Sequence, residues 1–314
     1  MSWLSVAGAV VQPVIVVAGA PALVGVTGQV RARLTGRAGA GVLQPYRELR
    51  KLLRKEPSTP DGASEVFRFA PVVLAAATLV VAVVAPLVTA ESAVGPVADV
   101  VAVVGLLVLG SVALALSGVD GGGAFGALGA GRVVTILALS GPALLVAMLA
   151  PAVRAGSTNL AVIVSSTVHE PSRMITPASL LAAAAILIVI IAESGLRPVD
   201  GPAPAEPAMA RRATVLEYAG PDLALVELAS AARLALFLGL LANLFVPWGI
   251  AAEESAAGLA VGVVALAVKI TLLAVALAVS EVFLARLRAF RVPELLAGAF
   301  VLAGLAMSAS LFLS

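Results

Sequence analysis

Ionisable side chains set in apolar sequence are the first place to look for chemistry, because charge is expensive in hydrocarbon and is kept there only where it is used or neutralised. Lys269 is the deepest, about 11 residues or ~16 Å of helix from either end of its apolar run, too far to snorkel to a membrane surface. It must face the bundle interior or a hydrated cavity, either as a link in a proton or ion path or as a structural ion pair or neutral amine. Glu281, Glu193 and Glu227 are its candidate partners. Glu193, Asp200, Glu217, Asp222 and Glu227 form a second group around one connection. Mutual repulsion in such a cluster would raise some carboxyl pKa values toward neutrality, as a proton relay needs. Arg233 could instead neutralise the cluster as a plain salt bridge. There is no cysteine, so thiolate metal sites and iron–sulfur clusters are excluded, and one histidine, His169, makes no zinc or haem constellation. Any redox chemistry must belong to partners.

These residues are positioned by long apolar blocks. The chain is 61% hydrophobic and 12% charged, with a mean hydropathy of +1.10, and its charge-free stretches of roughly 20 residues suit α-helices that cross hydrocarbon. They exclude a period-2 β-barrel. The expected fold is an all-α integral membrane protein, a single polytopic domain over 1–314. Eight spans are expected at about 8–30, 67–88, 97–117, 133–153, 176–194, 229–250, 258–280 and 295–313. The first lacks a basic segment before it and is expected to be a retained helix rather than a cleaved leader. Basic residues concentrate in the odd connections, so by the positive-inside rule these face the cytoplasm and both termini lie outside. Two cytoplasmic loops follow, 31–66 and 195–228. The pI near 9.4 reflects that asymmetry and not nucleic-acid binding, and the expected site is the inner (cytoplasmic) membrane.

The richest connection runs Gln44-Pro45-Tyr46-Arg47-Glu48-Leu49-Arg50-Lys51-Leu52-Leu53-Arg54-Lys55-Glu56. Leu49, Leu52 and Leu53 share one helical face and basic residues cover the rest, which describes a basic amphipathic helix on the cytoplasmic surface. Physics alone makes it an anchor on anionic lipid. The order of residues resembles the first cytoplasmic segment of the complex I subunit 1 family, in the branch found in formate hydrogenlyase and other membrane-bound [NiFe] hydrogenases. Further landmarks follow in the family's order: Gly118-Val119-Asp120 with Gly131-Arg132, Gly156-Ser157-Thr158-Asn159, Glu193-Ser194-Gly195 through Asp200, Glu217-Tyr218-Ala219-Gly220, and Phe283 through Arg288.

The resemblance implies a subunit with no cofactor of its own that holds a hydrophilic electron-transfer arm against the membrane. The arm would comprise hydrogenase large and small subunits and an iron–sulfur subunit, which bear the NiFe centre and iron–sulfur clusters. Antiporter-like membrane subunits would be further partners. Arm docking would fall to Gln44, Arg47, Arg50, Lys51, Arg54, Lys55, Asp120, Arg132, Arg286 and Arg288. Quinone binds in complex I but is not required in the hydrogenase branch. This chain departs from that branch where carboxylates matter: Val133 follows Arg132 in place of glutamate, and Gly141-Pro142 replaces Glu-Pro. A Pro/Ala segment with Glu206, Arg211 and Arg212 replaces an acidic stretch, and Leu196 stands in place of a basic residue. Anchoring survives these changes, while proton conduction is expected to be weak or rerouted through Glu193, Asp200 and Glu217. Two other functions compete: a quinone-site subunit of an NADH-oxidising complex, and a stand-alone ion transporter with Lys269 and Glu281 in its path.

Overall fold

The computed structural model describes residues 3–89, 94–169, 175–193, 212–251, 255–283 and 292–312. Ten helices of nine residues or more lie among them: α1 Trp3–Leu34, α2 Gln44–Leu52, α3 Glu65–Val84, α4 Val100–Asp120, α5 Ala124–Ala155, α6 Leu160–His169, α7 Pro177–Glu193, α8 Gly220–Phe245, α9 Ala256–Phe283 and α10 Val292–Phe312. Their ends follow local chemistry. Ser64 and Asp99 cap α3 and α4 by accepting from the amides of Val66 and Val101. Gly156 ends α5 in the left-handed conformation, where a Cβ would be strained.

Seven of these helices, α1, α3, α4, α5, α8, α9 and α10, are long and apolar enough to cross a membrane, which makes the chain an all-α, multi-pass membrane protein. The eighth expected span is α7, apolar but only 17 residues long. Two boundaries differ from the reading of the sequence. α5 starts at Ala124 and not near 133, because its first two turns are glycine-rich and read as loop. α8 starts at Gly220 and not near 229, since Asp222 and Glu227 end the apolar block without ending the helix. The connection after α5 contains α6, which ends at His169.

α8 is the central pillar, with 67% of its apolar window buried against 28% for α9 and α10. It touches α1, α3, α7 and α9 along its length, while α10 packs against α5 and α7, and α4 lies between α3 and α5. Val261, Val264 and Leu272 of α9 and Val301 and Leu305 of α10 face outward. An apolar outer face of this kind suits lipid tails or another membrane subunit.

Candidate functional site: buried charges along the central helix

Near the middle of the bundle, α5, α7 and α8 bring Ser140, Glu193 and Arg233 together, each almost wholly buried. Glu193 accepts from the Ser140 hydroxyl at 2.6 Å and from the Arg233 guanidinium at 3.4 Å. Arg233 also donates to the Leu107 carbonyl at 2.9 Å and lies 5.8 Å from the centre of the Phe237 ring. Arginine suits this place because its fork can meet a carboxylate and a carbonyl at once. A cavity of about 10 Å³, the size of one water, adjoins the pair and is bordered by Gly141. The sequence had offered Arg233 as a neutraliser of the carboxylate cluster that includes Glu193 and Glu227; the structure pairs it with Glu193, while Glu227 is exposed.

Lys269 has none of the carboxylate partners expected for it. Its ammonium donates to Asn243 Oδ1 at 2.8 Å and to the Val246 carbonyl at 3.1 Å, and lies 5.2 Å from the centre of the Trp248 ring. Glu281 is instead held by Arg31 of α1, whose Nε donates at 2.6 Å. Glu193 and Glu281 are each drawn to an arginine of another helix, while the C-terminal end of α8 presents the Asn243 side chain and the Val246 carbonyl to Lys269. Cations are favoured at a helix C-terminus, so a carboxylate is not needed there.

Asn243 and Gln12 do related work. α3 ends before Pro86, which has no N–H and so leaves the Ala82 carbonyl without its helical donor. Gln12 of α1 donates to that carbonyl at 2.7 Å and to Ala85 at 2.6 Å, and its Oε1 accepts from the amides of Leu87 and Val88. Asn243 donates to the carbonyls of Pro86 and Leu87, and Val88 accepts from the amide of Ala251. Every polar backbone group from Ala85 to Val88 thus has a partner, as irregular chain within a membrane protein requires. The reading of charges missed Gln12, Ser140, Asn243 and Trp248. Two amides inside charge-free spans, near Pro13 and opposite Pro86, were the available signal.

Among the described residues, Asp120, Glu217 and Asp222 lie at the opposite end of α8. Asp120 accepts from Ser64 and from the Phe67 amide, so it secures the first turn of α3. Tyr218 stacks on Phe67 with ring centroids 4.2 Å apart and donates to the Phe67 carbonyl at 2.7 Å. Burial, with the charges of Asp222 and Asp120 nearby, pushes the Tyr218 phenol up to about 12, against the opposing hydrogen bond with Ser117. Glu217 lies directly over the Gly121-Gly122-Gly123 turn, where a Cβ on Gly121 or Gly123 would collide with its carboxylate. Gly220 has φ +62, and a Cβ there would stand 2.6 Å from the Glu56 carbonyl. The Glu217-Tyr218-Ala219-Gly220 motif therefore locks the start of α8 to α3, to the α4–α5 turn and to the chain that follows α2.

On the far side, Asn159 Oδ1 caps α6 and its Nδ2 donates to the Gly95 carbonyl, while Thr158 donates to Asp99. That hydroxyl holds the Asp99 carboxyl below its usual value. The Gly156-Ser157-Thr158-Asn159 motif is thus a clasp between two connections.

Among the docking candidates, Arg47, Arg50, Lys51, Arg54, Lys55 and Arg132 are exposed and Gln44 is half-buried. Asp200, Arg286 and Arg288 lie outside the described residues.

The sequence of the NADH dehydrogenase family matches residues 7–312. Formate hydrogenlyase subunit 4 of Escherichia coli K12 is 32% identical over 303 residues, 96% of this chain and 98% of that protein. Hydrogenase-4 component C of the same organism is 32% identical over 298 residues, 95% and 93% of the two chains. A chain of the membrane-bound sulfane sulfur reductase, an archaeal respiratory membrane complex, has the same fold, with a TM-score of 0.76 at 20% identity over 98% of this chain and 99% of that one. With a match that runs through every transmembrane helix and every landmark motif, the chain belongs to the NADH dehydrogenase family.

Proposed function

We propose that this protein is the membrane subunit that seats the hydrophilic arm of a formate hydrogenlyase-like or hydrogenase-like complex. Its partners are then hydrogenase large and small subunits, an iron–sulfur subunit and antiporter-like membrane subunits, with the NiFe centre and iron–sulfur clusters held by the arm. The full-length similarity to formate hydrogenlyase subunit 4 and hydrogenase-4 component C supports the assembly. The observation that carries the docking role is the posture of α2. Tyr46, Leu49 and Leu52 turn inward while Arg47, Arg50 and Lys51 project outward, with Arg54 and Lys55 exposed beyond the helix. Tyr46 donates to the Ala18 carbonyl of α1, and the backbone of Lys55 and Glu56 abuts Gly220. A helix fixed to the bundle in this way presents a rigid cationic face to an acidic partner. By the positive-inside rule that face is cytoplasmic, in the inner membrane.

The residues of this chain suit anchoring better than conduction. Glu193 is neutralised by Arg233, position 133 is a buried valine, and position 141 is a glycine beside a water-sized gap. Few carboxylates are left to hand protons across the interior, so any flow relies on Glu193, Asp200 and Glu217. Reversing Arg50 and Lys51 to Glu is expected to release the peripheral subunits from membranes at ordinary salt while the chain stays inserted. A soluble arm that remains membrane-bound in that variant would place docking elsewhere.

A further inference from the structure

Lys269 is buried and ionisable, and anchoring gives it no task. The stretches 8–30, 66–88, 234–251 and 256–280, which lie in α1, α3, α8 and α9 and in the segments that follow α3 and α8, contain no carboxylate, and apart from Arg68 at the start of α3 their sole charge is Lys269. Ten residues separate Arg233 from Asn243, about 15 Å along α8. Lys269 therefore sits well beyond the Glu193–Arg233 pair, toward the end of α8 remote from Tyr218. Apart from Arg68, it is the one ionisable side chain in these stretches on which a passing proton could rest.

Its surroundings are unsuited to that use. The ammonium directs its hydrogens at an amide oxygen, Asn243 Oδ1, and a peptide oxygen, Val246 O, and the Trp248 ring lies nearby. None of these groups takes up a proton under physiological conditions, so a proton on Lys269 has nowhere to go among its described neighbours. The same contacts hold the Asn243 amide with its NH2 toward Pro86 and Leu87, which, together with Gln12, closes the irregular 85–88 segment. A fixed cation repels protons and other small cations that approach it.

We propose that Lys269, held by Asn243 and Val246 under Trp248, is an insulating plug that closes this half of the α1–α3–α8–α9 group to protons. The proposal holds whether or not the acidic groups at the other end of α8 conduct. It is tested with the assembled complex in liposomes loaded with a pH dye, following the passive proton leak after a pH step under a valinomycin–potassium clamp. Lys269→Arg keeps the cation and should leak no faster than wild type. Lys269→Met removes it and should leak several-fold faster. Asn243→Asp sets a proton-accepting carboxylate against the ammonium and should also leak faster, which decides the matter should Lys269→Met fail to assemble. Wild-type leak in an assembled Lys269→Met or Asn243→Asp complex overturns the plug. So does loss of redox-driven proton uptake in Lys269→Met with no added leak, which would make Lys269 a relay.

Discussion

Arg233 and Glu193 show how little a buried charge says about its role until its neighbours are known. Each is nearly inaccessible, and each has a second polar contact, Leu107 O for the guanidinium and Ser140 Oγ for the carboxylate. Replacing only the cation strands the anion in a low-dielectric interior, at a cost of about 3 to 5 kcal/mol. Arg233→Met should therefore sharply lower the amount and thermal stability of the purified complex. Glu193→Gln keeps a carbonyl for Arg233 and Ser140 and should cost less. A thermal unfolding series that includes the double variant measures the coupling, and an Arg233→Met complex as stable as wild type would show that the pair is not what holds α7 to α8. Lys269 makes the complementary point: a lysine at mid-helix looks like half of an ion pair, yet amide, carbonyl and indole groups accommodate it.

The break after α3 gives the chain an unwound stretch that needs outside donors and acceptors. Gln12 supplies four of the hydrogen bonds at once, to Ala82, Ala85, Leu87 and Val88. Gln12→Leu would leave those backbone groups unpaired in a dry environment, at about 1 to 3 kcal/mol for each. Little inserted, folded chain should accumulate, as read by membrane-fraction blotting and protease resistance. Normal accumulation would mean that water reaches 85–88. At the other end of the pillar, Gly220 permits the approach of the Glu56 backbone that joins the α2 connection to α8. α2 and the buried charges are therefore parts of one packed unit.

Whether the two termini share a side depends on α7. Seven crossings would place them on opposite sides, and α7 makes the eighth. Its 17 residues give about 25 Å of helix, less than the roughly 30 Å hydrocarbon thickness. Yet α7 packs against α5, α8 and α10, so protein and not lipid surrounds much of it, and a short crossing is tolerable. Alkaline phosphatase fused after Ser314 should be active and the same reporter fused near residue 60 inactive. Activity near residue 60 would reverse the orientation, and inactivity at both sites would mean that α7 does not cross.

Composition and block length were enough to specify a helical membrane protein, because a helix that must satisfy its backbone within lipid needs about 20 apolar residues and little else. The landmark motifs were enough to specify the family, since they are local strings that can be read in order along the chain. Sequence also picked out Arg233 and Lys269 inside apolar runs and Glu193 and Glu281 at the ends of them, because charge there stands out. It did not pair them. Which charge meets which depends on helix rotation and neighbour order, and apolar runs that are hydrophobic on all sides carry no moment from which to read either. The tertiary structure alone joined Arg31 to Glu281, Arg233 to Glu193 and Lys269 to Asn243, and it alone gave Gln12 a task, because the acceptors and donors of that side chain lie 70 to 76 positions away along the chain.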